Sequence, residues 1–272
     1  MNPNNNKSVW LVLIAVAFNA SVFGQGMKVI TNAPFKRGEK TTYRVHYGLV
    51  DAGIATLEVT PDAKQIGGRN TFHIVGGGYT VGAFNLFYEV KDRYETFIDE
   101  ENLYPWVFIR RINEGGYITN QDYVFNHKKG LVKVKRSGTD KSKNYDTIFA
   151  AKPGMQDILS AGYKARALDY SKYKVGDIIT IDTYFDEEVW PFMFKYMGKD
   201  VIHTKFGKVR CIKLKPMLQQ GRVFDDKSKM TIWLSDDSNH LPIRLQADVL
   251  VGAIKLDIKD YSGLVAPLAI VK

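Results

Sequence analysis

The sequence predicts a mainly β protein, with strongly curved antiparallel sheet in the form of an open barrel or half-barrel packed on one central α-helix. Three observations carry this: two-residue alternation recurs along the chain, glycine-marked breaks separate the alternating runs, and one stretch alone has helical spacing. From Phe87 to Ile98, Glu89, Lys91, Arg93 and Glu95 share one parity and Tyr88, Val90, Tyr94 and Ile98 the other, as in a strand with one wet face. Similar runs are Tyr43/Val45/Tyr47/Leu49, Tyr104/Trp106/Phe108, Tyr117/Tyr123/Phe125, Ile179/Ile181/Phe185, Met230/Ile232/Leu234, Ile243/Leu245/Val249 and Ile254/Leu256/Ile258. Breaks at Gly67-Gly68, Gly115-Gly116, Lys129-Gly130, Phe206-Gly207 and Val251-Gly252 read as short return turns, hence a meander.

The helix is expected over about 154–170, where Met155, Ile158, Leu159, Gly162 and Tyr163 make an apolar stripe between Pro153 and Gly176. It joins strand-rich halves at about 36–150 and 173–262 within one mainly β unit, 25–272. Residues 1–24 read as a cleaved export signal: Lys7 in a polar leader, an apolar run from Val9 to Phe18, then small residues before Gln25. That run is shorter than a bilayer-spanning helix, so the expectation is a soluble protein of the periplasm or envelope. The only cysteine, Cys211, does not follow the signal, which argues against a bacterial lipid anchor; its strand-like setting suggests a buried side chain rather than a nucleophile.

Apolar residues at 45% and charged residues at 25% describe a globular chain with material for a core. The net charge of +9, in an exported protein, points less to nucleic acid than to anionic lipid, polysaccharide or nothing specific. Much of it lies between Lys128 and Lys143, where Val132 and Val134 alternate with Lys133 and Lys135. A solvated hairpin face is the plain reading, and peripheral contact with an anionic membrane or glycan the alternative.

Catalytic motifs weigh little. Gly76-Gly77-Gly78 through Gly82 imitates a dinucleotide loop, but a strand rather than a helix is expected next, so a hairpin or bulge accounts for the glycines. Ser171-Lys172-Tyr173-Lys174 has the serine-x-x-lysine spacing yet follows the helix and reads as a linker. The five histidines are dispersed and no cofactor or metal is implied. Glu187-Glu188 and Asp236-Asp237 adjoin turns and, as neighbours in sequence, point apart. Trp190-Pro191-Phe192-Met193-Phe194 reads as a core edge, because proline is excluded from central strands.

On a helical wheel Arg166 falls among Met155, Leu159, Gly162 and Tyr163, on the apolar face. A buried guanidinium needs a partner, so Arg166 reaches out, pairs with an inward carboxylate, or meets an anionic ligand. Asp92, in parity with Tyr88, Val90 and Tyr94, is the expected partner, and Arg110, in parity with Tyr104, Trp106 and Phe108, is a third inward charge. Either the three form a core ion network or they are the polar spot of a ligand cavity lined by Tyr88, Trp106 and Phe108. Under the second reading, Arg166→Leu leaves the protein folded and abolishes ligand retention. Asp157 is expected in the first helical turn, opposite the stripe, stabilising the helix dipole.

Gly38-Glu39-Lys40-Thr41-Thr42-Tyr43 before Tyr47-Gly48 and Gly53, the Asn102-Leu103-Tyr104-Pro105 turn, the helix Gln156–Tyr163 ending near Arg166, and Trp233-Leu234-Ser235 before Leu241-Pro242-Ile243-Arg244 resemble the family called domain of unknown function 3108. The resemblance spans nearly the whole chain after residue 24. It implies an exported bacterial envelope protein without an established activity, and it marks Asp157, Ser160, Tyr163 and Arg166 as motif positions of the helix. Three classes of function are compatible with the chain. The first is a non-enzymatic binding or carrier module for a lipid-like or other amphiphilic ligand, by analogy with periplasmic half-barrels that hold acyl chains against a helix. The second is an envelope assembly protein with a filled core, and the third an envelope glycan or lipid hydrolase.

Overall fold

The computed structural model describes residues 32–186, 188–217 and 229–271; the expected signal, 1–24, and Glu187 lie outside the described residues. The first half forms β1 (Lys40–Tyr47), β2 (Val50–Val59), β3 (Lys64–Ile66), β4 (Arg69–Thr80), α1 (Gly82–Phe87), β5 (Lys91–Asp99), β6 (Pro105–Glu114), β7 (Tyr117–Asn126), β8 (Leu131–Gly138) and β9 (Tyr145–Ala150). After α2 (Ile158–Arg166) come β10 (Ile178–Phe185), β11 (Glu188–Thr204), β12 (Gly207–Met217), β13 (Lys229–Ser235), β14 (Pro242–Asp248), β15 (Ala253–Ser262) and β16 (Ile270–Val271).

All belong to one antiparallel sheet in the order β10-β11-β12-β13-β14-β15-β1-β2-β4-β5-β6-β7-β8-β9, with β3 beside β4 and β16 beside β12. Within each half, successive strands of this order pair antiparallel, as the meander requires. The two halves meet where β15 pairs with β1, Tyr43 opposite Ile258. The ladder does not close. Its ends, β9 and β10, are brought near one another by an extended segment in which Gln156 makes a single parallel bridge to Thr183.

The concave face is filled rather than hollow around α2. Ala161 and Ala165 pack against Ile179, Ile181, Phe194 and Leu214 of β10–β12, while Tyr163 packs with Phe35, Val59, Ile74 and Ile98. Gly76, mid-strand in β4, faces α2: a Cβ there would lie at ordinary contact distance, 3.6 Å, from Leu159 and more tightly, 3.3 Å, against Leu57 of the neighbouring strand. The triple glycine is therefore neither hairpin nor bulge, since Gly76, Gly77 and Gly78 pair in unbroken register with Leu57, Thr56 and Ala55.

Several expectations are corrected. A helix, α1, and not a strand, follows Gly82; the Thr80 hydroxyl holds this connection by accepting from the Val90 amide at 2.9 Å, so the strand begins at Lys91 rather than Phe87. The central helix is nine residues, shorter than 154–170, because residues before Asp157 are drawn out to bridge β10. Its stripe is also rotated: Ile158 and Gly162 are exposed, while Ser160, Ala161, Tyr163, Ala165 and Arg166 are buried. A short helix wrapped by a curved sheet is covered on several sides, so a one-sided wheel misassigns it. Leu49 lies beyond β1 and is 95% exposed. Pro191 sits within β11, a strand with two neighbours, opposite Asp182 and just before described pairing with β12 begins at Met193.

Candidate functional site

Arg166 is 3% exposed and its partner is Glu39, not Asp92. Nη1 and Nη2 donate to the two Glu39 carboxylate oxygens at 2.6 and 2.8 Å, Nη2 also to Pro34 O, and Nε to Asn239 O. The guanidinium lies 5.1 Å from the Tyr163 ring and 5.4 Å from Phe35. Bidentate geometry plus two carbonyls answers the demand that a buried charge be paired and hydrogen-bonded. Arg166 thus ties the end of α2 to the entry of β1 and to the loop before β14. Glu39 was legible in principle, because it shares parity with the inward Thr41 and Tyr43.

Asp157 is the N-cap of α2 and is wholly buried, which corrects its expected place opposite the stripe. Its carboxylate accepts from Leu159 N and Ser160 N at 2.8 Å and from the Thr96 hydroxyl at 2.6 Å, while the Ser160 hydroxyl accepts from Asp157 N. Burial outweighs these donors and pushes the carboxyl up to about 6.

The other expected site residues divide. Phe108 is buried, 6.4 Å from the Tyr94 ring and 5.3 Å from Tyr123. Trp106 belongs elsewhere, donating to Asp99 and lying 5.4 Å from His127. Tyr88 is 54% exposed, outside any interior lining, because its ring covers Gly115 in the β6–β7 turn. Asp92 is half-buried; burial raises its pKa, opposed by the Asn113 amide that it accepts.

Arg110 occupies a row that crosses five strands on the concave face: Tyr94, Arg110, Gln121, Arg136 and Tyr145 stand at successive paired positions. Arg136 belongs to the basic run between Lys128 and Lys143, yet it has the parity of Val132 and Val134, both 0% exposed, and so shares their inward face. Lys133 and Lys135 are on the other, exposed face. Arg110 Nη1 donates to Gln121 and to Asp186 at 2.9 Å, and its guanidinium lies 4.9 Å from the Phe185 ring. Arg136, half-buried, has no ion pair among the described residues. Buried Arg110 Nε, Tyr184 OH and Gln156 Oε1 find no hydrogen-bond partner among the described residues, which is uncommon for buried polar atoms. Among the described residues the row therefore presents two inward cations with Asp186 bonded to one of them and the Asp92 carboxylate within electrostatic reach of Arg110, among aromatic rings, beside the gap between β9 and β10.

The carboxylate pair Asp236-Asp237 is structurally committed: Asp236 pairs with Lys199, and Asp237 accepts from Ser235, Asn239 and Ala269. Ser171 and Lys172 lie in a 3-10 turn. No group of three or more metal-ligating side chains is gathered among the described residues. Cys211 is buried in β12, and burial pushes its thiol up to about 12. We expect iodoacetamide at pH 8 to leave Cys211 unmodified in the native protein and to alkylate it fully in urea; native labelling at the denatured rate would contradict this burial.

Among known proteins, residues 42–259 match the model of a family described as protein of unknown function, DUF3108. No curated protein matches. A solved β-barrel-like protein of domain of unknown function DUF1849 from Brucella abortus is similar at 11% identity and TM-score 0.54, over 85% of this chain and 99% of that one. A Bacteroides fragilis protein described as exported, with a YmcC-like fold, aligns at 11% identity and TM-score 0.33, over 84% and 97%. A Parabacteroides distasonis protein described as a lipoprotein aligns at 7% identity and TM-score 0.31, over 88% and 100%. No helix of the described residues is long and apolar enough to cross a membrane.

Proposed function

The chain belongs to the DUF3108 family, and from that premise we propose that it is a non-enzymatic binding module of the cell envelope, holding an amphiphile with an anionic headgroup. The observation that carries this reading is the inward arginine row, in which Arg110 and Arg136 flank Gln121 while, among the described carboxylates, Asp186 is the one hydrogen-bonded to Arg110. Paired guanidinium forks match a phosphate or carboxylate, and the neighbouring half-buried Tyr94 and Phe185 rings offer apolar surface to the adjoining chain. The export-like leader supports an envelope location. Arg166, satisfied by Glu39, belongs to the frame and not to this ligand site.

Native mass spectrometry of the periplasmically purified protein, followed by organic extraction, tests the reading. A discrete anionic amphiphile is expected on the wild type, with at least tenfold lower occupancy in Arg110→Gln/Arg136→Gln and a Tm within a few degrees of wild type. A clean ligand-free mass after exposure to envelope lipids would favour the second reading, an assembly protein. The side-chain-filled interior around α2 favours that alternative.

A further inference from the structure

Four neighbouring connections share one rim of the sheet. The β14–β15 and β1–β2 turns are adjacent, Tyr47 pairing with both Val50 and Ile254 and its hydroxyl donating to Val251 O. α1 is next, since Val81 N donates to Ala52 O at 3.0 Å, and the β6–β7 turn follows, Gly115 N donating to Glu89 O at 2.8 Å.

This rim is apolar where turns are ordinarily polar. Leu250 is 100% exposed, Leu49 95%, Phe87 88%, Leu86 85% and Val251 75%. α1 buries none of its residues, so its apolar side chains do nothing for the core. The opposite rim turns with Gly67-Gly68, Glu100-Glu101 and Lys128-Lys129. Around the apolar tips stand four tyrosines, Tyr47, Tyr79, Tyr88 and Tyr117, each 40–54% exposed. A patch of this kind marks a contact surface.

We propose that this rim docks on a lipid bilayer, the tips of α1 and of the β1–β2 and β14–β15 turns entering the headgroup–acyl boundary. Two features favour lipid over a protein partner. The apolar groups are separate prongs on successive turns, and entry into a fluid apolar layer rewards area removed from water without demanding a matching surface. The tyrosines encircling them are amphipathic side chains of the type that settles at the membrane–water interface. The arginine row stands four residues in from the same rim, Tyr94 against Val90 and Arg110 against Glu114, so a docked rim would face the proposed ligand site to its source. The inference rests on the envelope location proposed above, but not on the identity or presence of a ligand.

Flotation of the chain lacking residues 1–24 with phosphatidylethanolamine/phosphatidylglycerol vesicles tests it. Wild type is expected to float, and Leu86→Glu/Phe87→Glu or Leu49→Glu/Leu250→Glu to bind at least tenfold more weakly with unchanged circular dichroism and Tm. Arg110→Gln/Arg136→Gln is expected to float like wild type, which separates docking from ligand retention. Failure of wild type to float, equal flotation of the rim variants, or loss of flotation in the arginine variant overturns the assignment. A wild-type dimer that the rim variants dissolve, with no vesicle binding, would assign the rim to self-association instead.

Discussion

Arg166→Leu is expected to lower the unfolding free energy by about 3–5 kcal/mol, the cost typical of removing one partner of a buried ion pair. Glu39, 2% exposed, would be left as an unpaired carboxylate, and Pro34 O and Asn239 O would lose donors. This is the outcome that the core-ion reading of the sequence requires, whereas under the ligand-cavity reading the leucine variant stays folded and loses only a ligand. Urea denaturation is the measurement, with Arg166→Met/Glu39→Leu alongside. The double variant should recover most of the loss, because burying neither charge avoids both desolvation penalties. A loss below about 1 kcal/mol for Arg166→Leu, the range of an exposed pair, would remove Arg166 from the frame.

The second large effect is a pH dependence set by Asp157. Its folded-state pKa, about 6, exceeds the ordinary 3.8, so the folded protein holds this proton more tightly than the unfolded chain does. Stability from that proton is complete below about pH 4 and is lost as pH rises through about 6. The shift of about two units corresponds to roughly 3 kcal/mol. Asp157→Asn keeps a cap acceptor for the α2 amides but cannot titrate. The wild-type unfolding free energy minus that of Asp157→Asn should therefore fall by about 3 kcal/mol from pH 4 to pH 7.5. Taking the difference removes titrations common to both proteins, including His127, whose burial lowers its pKa. A difference flat with pH would mean that the cap donors fully offset the burial of the charge.

Burying charge in this fold is tolerable because each buried group is met from distant chain. Glu39 and Arg166 are 127 residues apart, and Asp157 receives the Thr96 hydroxyl from 61 residues away. The sequence marked Arg166 as a charge on a helix with an apolar face and correctly demanded a partner for it. It named the wrong carboxylate, since parity says which side of a strand a residue occupies and not which strands the helix will touch. Glu39 and Asp92 both had inward parity, and only the pairing of β1 with β15 and the seating of α2 chose between them.

Arg136 shows the opposite failure. The parity of Val132 and Val134 was enough to turn it inward, but within a run of seven lysines and arginines the collective charge overshadowed its position. α1 left no readable signal at all. A helix that buries nothing has no apolar side and no polar side, so the exposed Leu86 and Phe87 resembled an ordinary strand approach to Tyr88.

By itself the sequence determined the class of fold, the meander and the turn positions, because two-residue alternation and glycine-rich breaks are local consequences of a sheet with unlike faces. It also determined that a helix lies between the two halves. Tertiary structure alone decided how far that helix extends, which carboxylate neutralises Arg166, that Arg110 and Arg136 stand in one row, and that one rim is apolar. Each of these depends on which strands become neighbours, and neighbour choice follows from the curvature of the whole sheet around α2 rather than from the pattern within any single strand.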